Sequence, residues 1–454
     1  MGRHSLGDVV TGYLEDIGKQ YMNLIFITLS NINDVRHRGI YEDLMRKFRD
    51  EGHEVYIVSS AERRTGVKTH MTDEDGVHIL KVKTLNIQKT NVVEKGIGTL
   101  MMEGQYKRAI KKHLSDVRFD LILYSTPPIT FTNVVRFLKR QNPQAVSYLL
   151  LKDIFPQNAV DIGMFSKGSL FNKYFRRKEV ALYKASDYIG CMSPANVEFV
   201  LKHNSFIDAS RVEVAPNSIE LDNELNELSP AEERNKRKVE SLYIRRKYHL
   251  PEDRPIFIYG GNLGRPQGID YLMKCLDANK QRQDCFFVVV GNGTEYEKLS
   301  TWYESLSLEF FAGQSGIAER RDESLETVKS KKLNITLMAR LPKEDYDMLV
   351  RSCDVGLIFL DHRFTIPNYP SRLLPYLEFK MPIICATDRN TDIGRIAEEN
   401  GYGFWCESVK PEDFTALVDK MLQSDRKAMG ERGYEFLKQN YTVQNTYDAI
   451  MGHL

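Results

Sequence analysis

Residues 255–277 read PIFIYGGNLGRPQGIDYLMKCLD. The apolar run PIFIY ends at Gly260, a glycine-rich turn (GGNLGRPQG, Gly260–Gly268) follows, and IDYLMKCLD then carries apolar residues at helical spacing. Strand, glycine turn and helix in that order predict the opening of a doubly wound α/β domain. Glycines such as Gly261 and Gly264 let a backbone approach a ligand, free amides at a helix start suit phosphate, and Arg265 adds a fixed charge. The competing reading is a strand-to-helix turn that holds nothing.

Downstream the same pattern repeats. CFFVVVGNG ends in Gly291, Asn292 and Gly293, at the carboxyl edge where open α/β sheets bind ligands; alone it reads as a turn. NYPSRLLPYLE places Ser371 and Arg372 before a helix that leads into the strand PIICA. A hydroxyl, amides and a guanidinium together can hold a diphosphate.

Upstream, NLIFITLS, IYEDLMRKFRDEG and HEVYIVSS form a β-α-β opening from Asn23, with Gly52 as the helix stop. The expected organisation is an N-terminal extension (1–21), a first Rossmann-like domain (22–218), a charged linker (219–253), a second Rossmann-like domain (254–430) and a helical segment (431–454) packing back on the first. The segment between Trp302 and Lys332 is expected to be a surface helical insertion.

Composition narrows the function. A chain of 454 residues is too long for one ordinary core. A formal net charge of +1 supplies no global field to gather nucleic acid, which is not expected as a partner. The six cysteines lie apart, without zinc spacing, and read as buried thiols of a reducing compartment. Apolar runs such as Leu24–Leu29 fall far below the ~20 residues that span a bilayer.

The order of these features resembles the GT-B-fold retaining glycosyltransferases of family 4, the group that includes makers of bacterial capsule and O-antigen. In the first half the resemblance rests on RGIYEDLMRKFRDEGHEVYIVSS, YSTPPIT, LLLKDIFPQNAVDIGM, YKASDYIGCMSPANVEFV and VAPNSIEL. In the second it rests on YGGNLGRPQGID, VVGNGTEYEKL, ITLMARLPKEDYDMLVRSCDVGLIFL and PNYPSRLLPYLEFKMPIICA. It implies an α/β, GT-B architecture: two Rossmann-like domains facing across a cleft. It also implies a nucleotide-sugar donor, a UDP-sugar, held by Gly261, Asn262, Gly264, Gln267, Gly291, Asn292, Gly293, Arg340, Leu341, Ser371 and Glu378. The acceptor would lie against first-domain loops carrying Arg38 and Gly39, and Lys152 and Asp153.

The departures from the family are specific. Where many members hold the diphosphate with an Arg and a Lys, this chain has Asn262 and Gln267, so charge must come from Arg265 or Arg372. The Glu-x7-Glu positions align with Pro367 and Pro375, and Glu378 is displaced. We read this as a subgroup mark, with ribose recognition unassigned. Retention by front-face attack, in which the leaving diphosphate takes the acceptor proton, needs cations where charge builds, and Arg265 and Arg372 suit that need. Lys152 and Asp153 would orient the acceptor or a sugar hydroxyl; the alternative is a helix cap by Asp153. No metal or cofactor is expected, and the DxD of Asp73–Asp75 reads as a turn.

LFNKYFRRK (Leu170–Lys178) interleaves aromatic and basic residues, YKRAIKKH (Tyr106–His113) adds a basic face and IGTLMM (Ile97–Met102) an apolar one. Either they meet an anionic membrane, or Leu170, Phe171, Tyr174 and Phe175 pack inward. The expected protein is a cytoplasmic transferase, peripheral on the inner face of the membrane, acting on a lipid-linked saccharide. The alternatives are a catalytically silent GT-B partner subunit and a sugar-nucleotide epimerase. A nicotinamide dehydrogenase is disfavoured, because SNINDVRHRG after the first strand lacks the glycine fingerprint.

Overall fold

β1 (Asn23–Ile27) shows how the chain builds its layers: Ile25 and Ile27 enter one apolar cluster, while Leu24 and Phe26 enter another on the opposite face. A strand buried on both faces needs helices on both sides, which is the doubly wound solution. This computed structural model describes residues 21–87, 92–221, 230–318 and 333–454, so the expected extension at 1–21 lies almost wholly outside it.

The first sheet adds β2 (Glu54–Glu62), β3 (His70–Glu74), β4 (Val77–Thr84), β5 (Leu121–Ser125), β6 (Val146–Leu151), β7 (Tyr188–Cys191) and β8 (Val212–Val214), in the order β3-β4-β2-β1-β5-β6-β7-β8. Only β3 runs antiparallel, hairpinned to β4 through Asp75 and Gly76, so the DxD falls on this hairpin. The second sheet is parallel throughout, in the order β11-β10-β9-β12-β13-β14. Its strands are β9 (Ile256–Asn262), β10 (Phe286–Asn292), β11 (Ile335–Met338), β12 (Val355–Phe359), β13 (Ile383–Thr387) and β14 (Gly403–Glu407). The strand order reverses between β1 and β5 in one sheet and between β9 and β12 in the other, and each reversal opens a crevice at the carboxyl ends.

Three expectations need correction. Much of the proposed linker is a helix, Pro230–Lys247, that belongs to the second domain: Ile244 is fully buried there, and Arg245 Nη2 donates to the Ser352 carbonyl at 2.6 Å and to Asp354 Oδ2 at 3.0 Å. The helix expected within 302–332 starts earlier, at Tyr296, and packs Leu299 and Leu306 into the core; residues 319–332 lie outside the described part. Leu170, Phe171 and Tyr174 do not pack inward. They are exposed, and of the four only Phe175 packs against the core, edge-on to Phe155.

The chain crosses between domains at two adjacent places. Ile219 and Thr442 pair as a parallel bridge, with the Ile219 amide donating to Tyr441 O and the Val443 amide to Ile219 O, both at 3.0 Å. Beyond this clasp, helix Val443–Met451 joins the first domain: Ile450 is buried, Tyr447 sits edge-on to Phe48, and the His53 ring nitrogen meets the Tyr447 hydroxyl at 2.8 Å. All six cysteines are buried and unbridged.

Candidate active site

The glycine turns at the second switch point are built on contact between their own backbones. A Cβ on Gly291 (φ 155) would stand 1.8 Å from the Gly261 carbonyl oxygen, and one on Gly293 would stand 2.2 Å from that of Leu263. No side chain fits there, so this pair serves the close approach of the β9 and β10 loops. The Leu263 amide donates to the Asn292 carbonyl at 2.8 Å and closes the contact. Asn262 and Gln267 also bond each other: Asn262 Nδ2 donates to Gln267 Oε1 at 3.0 Å, and the Gly264 amide reaches the same oxygen at 3.2 Å. Asn262 and Gln267 are thus clamped to each other beside the glycine turn.

Arg372 is held differently. Its guanidinium lies 4.4 Å over the Tyr259 ring, and its Nη2 would be 3.7 Å from a Cβ on Gly261. Its Nη1 is buried without a hydrogen-bond partner, a costly state for a charged donor unless an anion completes it. Two residues that the sequence did not single out frame it. The Tyr346 hydroxyl lies so close to Gly260 that a Cβ there would stand 2.3 Å away, and the Tyr376 hydroxyl accepts from the Gly260 amide and donates to Ile258 O, each at 3.2 Å. Ser371 is exposed beside the guanidinium in sequence, and the helix that follows has only six residues (Leu373–Glu378), so the cation here is the arginine side chain itself. Exposed Arg340 and half-buried Leu341 follow β11 at the same edge of the sheet.

Arg265 does not join Arg372. It is exposed, pairs with Glu295 (Nε to Oε1, 3.4 Å) and faces a groove of about 530 Å³ lined also by Lys274, Asp361 and Arg363, whose lining excludes Arg372. Of the two arginines that the sequence offers for the charge, Arg265 is engaged with Glu295. Glu378 is 5% exposed and accepts from Arg38 Nη2 at 2.6 Å, while the same nitrogen donates to Glu220 O. This pair is a strut between the domains and engages both side chains expected to meet ribose and acceptor. Gly39 begins helix Ile40–Asp50, where its amide donates to Asp43 Oδ1 at 2.9 Å.

Lys152 and Asp153 close β6 in the first domain. Thr126 Oγ1, at the end of β5, accepts both their amides, at 3.0 and 3.2 Å. Lys152 Nζ donates to Ala215 O at 2.9 Å, and burial pulls its pKa down to about 7. Burial pushes Asp153 up to about 6, against the opposing hydrogen bond from Asn158 Nδ2 at 2.7 Å. Two perturbed groups beside the β1/β5 switch point suit the handling of a hydroxyl near neutral pH.

The β12 loop brings the domains together. Phe364 and Ile366 are buried in the first domain's cluster with Ile129, Ile154 and Ile162. Between them, Thr365 is bonded through its amide and hydroxyl to Asp161, at 2.7 and 2.9 Å. Asn196 Nδ2 donates to Pro367 O at 2.9 Å, and Asp392 receives the Ser193 hydroxyl at 2.7 Å and the Ala195 amide at 3.0 Å. Two doubly wound domains thus meet through the loops that follow β12 and β13. The fold is GT-B.

Within this GT-B chain, residues 242–315 match the family described as glycosyl transferases group 1. A curated relative, the probable glycosyltransferase WbjE of Pseudomonas aeruginosa, is 22% identical over 65% of this chain, and the chain spans 64% of that protein's length. The structure is similar to sucrose-phosphate synthase of Thermosynechococcus elongatus (TM-score 0.66, 13% identity, 95% of this chain and 98% of that one). It is also similar to HepE of Anabaena in complex with UDP and glucose (TM-score 0.63, 12% identity, 95% and 99%). Among the described residues, no group of His, Cys, Asp and Glu side chains forms a metal site, and no helix is long and apolar enough to cross a membrane.

Proposed function

We propose that this chain is a glycosyltransferase that moves a sugar from a UDP-sugar to a hydroxyl of a lipid-linked saccharide, with retention and without metal, in the synthesis of a bacterial surface polysaccharide such as capsule or O-antigen. The observation that carries the reading is the unpartnered, buried Nη1 of Arg372, set above Gly261 at the switch point of the second domain. A diphosphate there would complete the guanidinium and lie where glycine leaves the backbone open. During transfer, negative charge grows on the diphosphate oxygen as the bond from the sugar breaks. Arg372 offsets that charge, and the same oxygen takes the acceptor proton as the new glycosidic bond forms. Lys152 and Asp153 orient the incoming hydroxyl. The similarity to HepE, whose structure holds UDP and glucose, supports the donor class, and the similarity to the probable glycosyltransferase WbjE supports the transfer.

Asn262, Gln267 and Glu378 are all engaged within the protein, which favours a second reading, a GT-B subunit that binds a nucleotide without turnover. Calorimetric titration with UDP, GDP, CMP and ADP, with and without magnesium, tests both. Tight metal-independent binding of UDP, followed by consumption of a UDP-sugar only when acceptor is present, is expected. Consumption without acceptor would indicate an epimerase, UDP binding without turnover the silent subunit, and failure of all four nucleotides to bind would overturn the donor assignment.

A further inference from the structure

Two helices of the first domain hold large apolar side chains in solvent. Ile97, Leu100 and Met101 on Val92–His113 are 48, 65 and 45% exposed; Leu170, Phe171 and Tyr174 on Leu170–Tyr183 are 84, 68 and 38% exposed. Lys178 Nζ meets Glu103 Oε2 at 3.9 Å between the helices, both of which pack on helix Thr132–Gln141. Leu100 lies one turn before Glu103, and Tyr174 one turn before Lys178, so an exposed apolar residue of each helix stands one turn from this ion pair, which marks the seam between them. Large apolar side chains gathered in this way call for a partner.

The charges around the seam select it. Glu94, Glu103 and Glu179 are each held by a cation, Arg63, Lys178 and Arg176 respectively. Lys107, Arg108, Lys111, Lys173 and Arg177 are exposed on the same two helices. The seam therefore presents apolar side chains ringed by positive charge. A second copy of this chain would bring cations against cations, whereas an anionic bilayer satisfies both features at once: side chains enter the acyl boundary while lysines and arginines meet lipid phosphates.

We propose that this two-helix face docks on an anionic bilayer, with Leu100, Leu170 and Phe171 immersed. The proposal names the membrane contact of the domain that would receive the acceptor, yet its test uses no catalysis, so it can fail while the transferase reading stands, and the reverse. The experiment is flotation of the full chain with vesicles of phosphatidylcholine alone and of phosphatidylcholine with phosphatidylglycerol, at low and high salt. Binding to the anionic vesicles, lost at high salt, is expected, with a decrease of about 10-fold or more in the variant Leu100→Ser/Leu170→Ser/Phe171→Ser. Circular dichroism and UDP titration check that this variant is folded. Equal binding of the parent and the variant, equal binding to neutral vesicles, or a dimer in solution that the variant loses would each overturn the assignment.

Discussion

Replacing Arg372 by alanine separates phosphate recognition from everything else this side chain does. Without ligand, Arg372 contributes a cation–π contact with Tyr259 at 4.4 Å, worth about 0.5–2 kcal/mol. Against this stands the cost of a buried donor with no partner, about 1–3 kcal/mol. The two largely offset each other, so Arg372→Ala should shift the free protein's stability by no more than about 2.5 kcal/mol. With diphosphate bound, Nη1 gains a charge-assisted bond of about 1.5–3 kcal/mol, and a second N–H on another oxygen brings the loss on truncation to about 3–4 kcal/mol. UDP affinity should then fall about 100- to 1000-fold, while uridine affinity changes less than about 2-fold. Lysine at this position keeps the charge but loses the planar stack and the fork, and should recover only part of the loss. Calorimetry with UDP, UMP and uridine reads all of this. Equal losses for UDP and uridine, or a UDP loss below about 3-fold, would refute the assignment.

Glu378→Gln should lower the melting temperature by weakening the strut to Arg38, at about 1–2 kcal/mol, and leave UDP affinity within about 2-fold; a large affinity loss would restore a donor role to Glu378. Ile366→Ala removes a fully buried anchor of the β12 loop and should cost about 2–4 kcal/mol, seen as faster proteolysis and a larger radius of gyration by small-angle scattering; unchanged scattering and stability would show that the loop does not hold the domains. Asp153 has a raised folded pKa, so its protonated form favours folding at low pH and that advantage is lost as pH rises from about 4 through about 6. Asp153→Asn should therefore gain stability over the parent between pH 4.5 and pH 8, by up to about 3 kcal/mol, and a difference in melting temperature that ignores pH would contradict the burial.

The fold was legible because its signals are local. PIFIY and NLIFI are strand-sized apolar runs, the turns after them carry glycine, and each is followed by a helix with one apolar face. The site was legible only in part. Arg372 stood out as a cation beside a turn, but Asn262, Gln267, Glu378, Arg38 and Gly39 meet partners close by or across the cleft, and a linear chain does not show those partners. Tyr346 and Tyr376 were missed because a tyrosine in an amphipathic helix reads as core until its hydroxyl is seen at Gly260. Phe364 and Ile366 carried a signal that could have been used: two large apolar residues in a loop between Asp361 and Pro370 need a surface to cover them. Pro230–Lys247 hid its burial because an arginine, not an aliphatic side chain, anchors it beside Ile244.

The last helix, Val443–Met451, has a consequence for how the protein is made. It completes the core of the first domain, supplying Ile450 and setting Tyr447 against Phe48 and His53, yet the entire second domain is translated between β8 and this helix. A nascent first domain thus leaves the ribosome with the groove beside Phe48 still open, and it cannot finish folding until the second domain has emerged. Synthesis therefore delivers the two halves together: emergence of this helix, and not of β8, is the moment at which the cleft can first assemble.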